Sequence, residues 1–88
     1  METRIALIGL VVEDYTQVET INELLHEYRR YIIGRMGIPD QKHAISIISV
    51  ALDAPQNVIS ALAGKLGMLR GVTTKTIYSK SFPQEECP

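Results

Sequence analysis

The sequence predicts an α+β fold in which four strands form one antiparallel sheet and two helices cover one of its faces. Two observations carry that expectation. Apolar runs at Arg4 to Val12 and Ala44 to Leu52 each lead to an acidic residue and then to a segment whose apolar positions recur every three or four residues. Ile5 and Ile45 stand 40 positions apart, so the strand and helix occur twice, and a glycine pair follows or closes each helix: Gly34 with Gly37, then Gly64 with Gly67.

Each element has its own justification. Arg4 to Val12 is apolar on both alternating faces, Ile5, Leu7 and Val11 on one and Ala6, Ile8, Leu10 and Val12 on the other, as a central strand requires. Asp14 with Gln17, or Thr16 with Glu19, can cap a first helix carried by Val18, Ile21, Leu24, Leu25 and Tyr28. That helix is expected to give way near Tyr31 to a second strand ending at Ile38, with Pro39 to His43 as a polar turn. Ala44 to Leu52, rich in Ile and Val, is the other central strand. Asp53 is expected to cap the second helix, with Pro55 where no N–H is needed and Gln56 completing a capping box. Val58, Ile59, Leu62, Ala63 and Leu66 supply its apolar stripe, and Gly64, Gly67 and Gly71 are expected to stop it. Val72 to Ser81 reads as the last strand. Two strand-helix-strand units in series give the ferredoxin-like βαββαβ order. The expected domain spans residues 1–82, with 83–88 as a disordered acidic tail.

Composition narrows the function. A chain of 88 residues is one domain, small enough for association with other copies to help it. The net charge of −1 removes the usual electrostatic footprint of a nucleic-acid or membrane binder. A lone Cys87 excludes an internal disulfide and fits the expected cytoplasmic location. Ile5 to Val12 is too short to span a bilayer, and Glu13-Asp14 stand where a signal peptide would need its small-residue cleavage site. Because the central strands are apolar on both sides and the two helices cover only one, a second subunit is the expected cover for the other. The predicted state is therefore a homo-oligomer, dimer or tetramer.

Candidate chemistry is sparse. His26, His43 and Cys87 lack metal-ligand spacing, so neither a metal nor another cofactor is expected. Glu13 and Asp14 are explained as strand-end and cap carboxylates, and Ser46 and Ser49 as small strand residues, so no catalytic residue is assigned and an enzyme is not expected. Gly34-Arg35-Met36-Gly37 and Gly64-Lys65-Leu66-Gly67 each place a cation between glycines, which could bring backbone N–H groups to a phosphate. The fit to a phosphate loop is poor. Ile59 stands where such a loop needs glycine, Leu66 where it needs Ser or Thr, and Lys65 lies near a helix end. The glycines are better read as letting helix ends turn and pack on the sheet. Glu13, Asp14, Arg35 and Lys65 form the candidate ligand-binding set.

The glycine segment running on to Ile38-Pro39, together with Ser60-Ala61-Leu62-Ala63 before Gly64, Met68, and Gly71-Val72, resembles the iron-only hydrogenase system regulators. The resemblance extends from about Arg4 to Tyr78 and includes Asn22 and Leu24-Leu25-His26-Glu27-Tyr28. It implies an ACT-like domain of ferredoxin-like fold, similar to the C-terminal sensing domain of the nickel-responsive repressor. Nickel sensing is not implied, since Ile45 to Leu52 lacks the histidines that the repressor carries on its corresponding strand and no cysteine follows nearby. With no ribbon-helix-helix arm before the first strand, direct DNA binding is not expected. The turn Glu13-Asp14-Tyr15-Thr16 also lacks the glycine with which ACT domains admit an amino-acid ligand. The resulting expectation is a regulatory or sensing homo-oligomer working through an interface ligand or a protein partner. A ligand-free scaffold and, further off, a nucleic-acid-binding protein are the alternatives.

Overall fold

The computed structural model describes residues 2–40 and 42–80. Strand β1 (Arg4–Val12) leads through a 3-10 turn at Tyr15–Gln17 into α1 (Val18–Glu27), and a second 3-10 turn at Arg29–Tyr31 leads into β2 (Ile32–Asp40). Strand β3 (Ile45–Ala54), α2 (Gln56–Gly67) and β4 (Val72–Tyr78) follow. The sheet order is β2-β3-β1-β4 with every neighbouring pair antiparallel, so the two doubly apolar strands are central and the fold is α+β, ferredoxin-like.

Alternation along the central strands places the core. Ala6, Ile8, Leu10 and Val12 of β1 and Ile48, Val50, Leu52 and Ala54 of β3 are buried, with Ile21 and Leu25 of α1 and Ile59, Leu62 and Leu66 of α2. The intervening residues stay open. Leu7, Val11 and Ile47 are 41%, 39% and 44% exposed, because both helices pack on the opposite face.

Several local expectations are corrected. Asp53 does not cap a helix: it continues β3, opposite Ile5, because pairing with β1 holds the backbone extended through Ala54. Pro55 stands at the start of α2 without a side-chain cap, and Gln56 instead accepts a hydrogen bond from Arg4 Nη1 at 2.7 Å. Asp14 does act as a cap, but of the 3-10 turn, accepting from the Thr16 amide at 2.9 Å and the Thr16 hydroxyl at 2.6 Å. β2 runs two residues beyond Ile38, since Pro39 lies on an edge strand, where a missing N–H is tolerated.

The first glycine pair differs from its expected role at a helix end, whereas α2 does stop at Gly67, with Gly71 turning the chain beyond it. Gly34 and Gly37 lie inside β2, Gly64 inside α2 and Gly67 at its last residue, so neither glycine segment forms a loop. Among the described glycines only Gly71 has a positive φ, 74°. There the chain passes so close to the end of β1 that a Cβ would sit 2.8 Å from Asp14 Cβ. The last strand ends at Tyr78, and the expected tail with Cys87 lies outside the described residues.

Candidate functional site

A concavity lies between α1 and β2. Burying Ile21 and Leu25 turns α1 so that Asn22 and His26 lie along the β2 side, where Arg29, from the 3-10 turn that follows, joins them. On β2, a register shift between Ile32 and Gly34 is followed by pairing of Arg35 with Val50, Gly37 with Ile48 and Pro39 with Ser46. Val50 and Ile48 are buried under the helices, so Arg35 and Gly37 face the helix side too.

Two open clefts share Asn22 and Arg35. One of about 320 Å³ is bounded by Leu25, His26, Arg29 and Ile32, and one of about 220 Å³ continues past Gly37 to Ser46 and Ile48. Arg35 bridges them by donating from Nη2 to Asn22 Oδ1 at 3.1 Å. Arg29 donates to the carbonyl of His26 at 2.9 Å, near the end of α1. The arrangement is two guanidinium groups and an amide above an apolar floor.

Within one chain the four residues singled out from sequence are not brought together. Only Arg35 lines these clefts. Lys65, on α2, reaches the end of α1, with Nζ 3.4 Å from Glu27 Oε1 and 5.1 Å from the centre of the Tyr28 ring. Interaction with Tyr28, then with Glu27, raises its pKa above the usual lysine value. Glu13 and Asp14 lie beside the Gly71 loop, where the Glu13 amide donates to the Gly71 carbonyl at 2.8 Å. The Asp14 carboxyl is held below its ordinary pKa by the Thr16 hydroxyl, then by the Thr16 amide. Sequence reasoning noted Asn22 and His26 but attached no site to them, and it did not single out Arg29. The i, i+4 spacing of Asn22 and His26 on α1 was the available signal for those two.

Among the described residues no group of three or more His, Cys, Asp or Glu side chains could hold a metal ion. His43 Nδ1 lies 2.9 Å from Asp40 Oδ2 beside the β2–β3 turn, an isolated exposed pair. No helix among the described residues is long and apolar enough to cross a membrane.

A four-stranded antiparallel sheet with two helices on one face, and an open cleft where α1 meets an edge strand, define a ferredoxin-like α+β domain. The chain belongs to the TM1266-like family, described as "Iron-only hydrogenase system regulator, putative", whose model matches residues 4–76. A similar solved structure is that of the uncharacterized protein TM1266 from Thermotoga maritima. It is 35% identical, the match covers 90% of this chain and 100% of that one, and the TM-score is 0.86. No curated protein matches the chain.

Proposed function

We propose that this chain is a regulatory or sensing module of the iron-only hydrogenase system, acting as a homo-oligomer through a ligand or a protein partner at its interface. The observation that carries this reading is the uncovered sheet face. Strand register aligns Ile38, Ile47 and Val11 in one row across it and Ala51, Leu7 and Ile77 in another, with Met36 between them. The large side chains of this set are 39% to 65% exposed. Such a surface, interrupted in its middle row by Ser49, Gly9 and Lys75, is of the order of the largest apolar patch on a typical monomer, about 300–600 Å². Burying it returns roughly 25 cal/mol per Å² before the cost of association.

A second copy suits the surface in charge as well. Lys75 pairs with Gly9 and so shares this face, while Asp53 and Asp40, opposite Ile5 and Ile45, share it on the other strands. Two sheets packed face to face can therefore bring a lysine of one copy toward an aspartate of the other. Native mass spectrometry of protein from its own host tests the reading. A stable oligomer is expected, and Ile47→Glu should return it to monomer, whereas a wild-type monomer overturns the proposal. Extra mass retained on the oligomer supports ligand sensing, and a bare oligomer moves the reading to a protein partner. The chain's family description as a regulator is in keeping with both.

A further inference from the structure

We propose that the cleft between α1 and β2 binds a small organic carboxylate with an apolar body, Arg35 taking the carboxylate and the space over Gly37 taking the body. The inference rests on the sensing reading above and gives it a ligand class and a place.

Gly37 is the first ground. A glycine inside a strand sacrifices side-chain packing and costs chain entropy, so its presence asks for a reason. The two ordinary reasons are missing here. Its φ is not in the left-handed region, and a Cβ built on it meets nothing within 4 Å. Gly37 pairs with buried Ile48 and lines the cleft, so the room left by its missing side chain opens into the cleft and serves no packing within the chain. Close approach by an outside group accounts for a glycine in that position.

Charge is the second ground. Arg35 and Arg29 line the first cleft, and no carboxylate among the described residues lines either one. The side-chain partner of Arg35 is the neutral amide of Asn22, which orients the guanidinium without neutralising it. Lys65, by contrast, already faces the Glu27 carboxylate. A planar guanidinium held in this way matches a carboxylate through two parallel N–H donors. A phosphate would be served better by a nest of backbone N–H groups, and the two glycine segments do not form one, being strand and helix.

The floor supplies the third ground. Half-buried Ile32 and Val18, over the buried Leu25 and Ile48, offer apolar surface on either side of Arg35, and the two clefts, about 320 and 220 Å³, stand near the lower end of the size range of small-molecule sites, about 300–1,000 Å³. An anion without an apolar part would leave that surface unused.

The test is an amide NMR titration of the full chain with 3-phenylpropionate, its neutral carboxamide and inorganic phosphate, with native mass spectrometry on the same samples. Phenylpropionate is expected to shift Asn22, Arg35, Gly37 and Ser46, with the carboxamide and phosphate at least tenfold weaker. Arg35→Gln should weaken binding at least tenfold. Gly37→Val should do the same while leaving the melting temperature equal or higher, and Gly37→Ala should fall between. No binding, shifts centred elsewhere, stronger binding of phosphate, or full affinity in Arg35→Gln and Gly37→Val would each overturn the proposal. Oligomers that bind none of the probes would overturn the cleft assignment and leave the oligomer reading standing. A monomer that binds phenylpropionate would do the reverse.

Discussion

The two edge strands of the sheet are built to opposite ends. Along β4, Val72 is buried and Thr74, Thr76 and Tyr78 are half-buried on the side where α2 lies. Along β2, seven of nine residues are exposed, although the strand pairs with β3 from Ile32 to Asp40. Pairing therefore does not measure how far a strand belongs to the core. α2 covers its edge, whereas α1 stands off β2 and leaves a cleft beside it. The difference separates the part of the chain that holds the fold from a part whose surface stays open.

The largest expected effect probes the covered half. Leu62 is fully buried in α2, and Leu62→Ala should cost about 2–5 kcal/mol in urea unfolding through lost burial and a residual cavity. The corresponding change on the open edge, Ile33→Ala, removes a side chain that is 63% exposed and should cost less than about 1 kcal/mol. Equal losses would break the distinction between the edges.

Glycine substitutions sharpen it at smaller scale. Gly71→Ala meets both a left-handed backbone and the Asp14 side chain, and should lose about 1–3 kcal/mol. Gly37→Ala meets neither, and should be neutral or gain up to about 1 kcal/mol. The two melting temperatures, measured without ligand, should therefore move in opposite directions or only the first should move at all.

The same contrast explains what could be read from the chain beforehand. β1, β3 and the apolar stripe of α2 were legible because their burial follows from local periodicity: Ile8, Val50 and Leu62 are where alternation and helical spacing put them. Asp53 was misread because Asp-Ala-Pro suits either a cap or the end of a strand. Pairing with Ile5, a long-range event, decides between them. Gly34 and Gly37 resembled a helix end, yet α1 had already ended at Glu27 and a 3-10 turn had intervened. Of the cleft, Arg35 was legible as a cation between glycines. Its convergence with Asn22 and Arg29 was not, because it depends on where α1 lies relative to an edge strand.

A smaller effect is expected where the covered half closes on itself. Arg4 donates to Gln56 Oε1 at 2.7 Å and to the Ser79 carbonyl at 3.0 Å, and lies 4.7 Å from the centre of the Tyr78 ring. It thus joins β1 to the start of α2 and the end of β4. Arg4→Ala should cost about 1–2 kcal/mol. Arg4→Lys should recover only part of this, because one ammonium cannot reproduce the planar fork. Full recovery by lysine would reduce the role of Arg4 to charge alone.

The smallest expected effect is a pH dependence at the opposite end of β1, beside Gly71. Asp14 has its folded pKa lowered from 3.8 by hydrogen bonds from the Thr16 hydroxyl and amide, so the unfolded chain binds a proton there more readily than the folded one. The contribution of Asp14 to stability is therefore fully present above the unfolded value, declines as pH falls through the interval below it, and is gone once pH passes the lower folded value. Asp14→Asn should flatten the acid limb of stability against pH in that interval and lower stability slightly at neutral pH. Thr16→Val, which removes the hydroxyl and keeps the amide, should flatten it partway. Because Asp14 is open to solvent, added salt should shrink only the minor attraction of Arg70 and leave the hydrogen-bonded part in place. An Asp14→Asn acid limb that superimposes on the parent would assign the acid sensitivity to other carboxylates and leave the Thr16 turn a matter of backbone geometry alone.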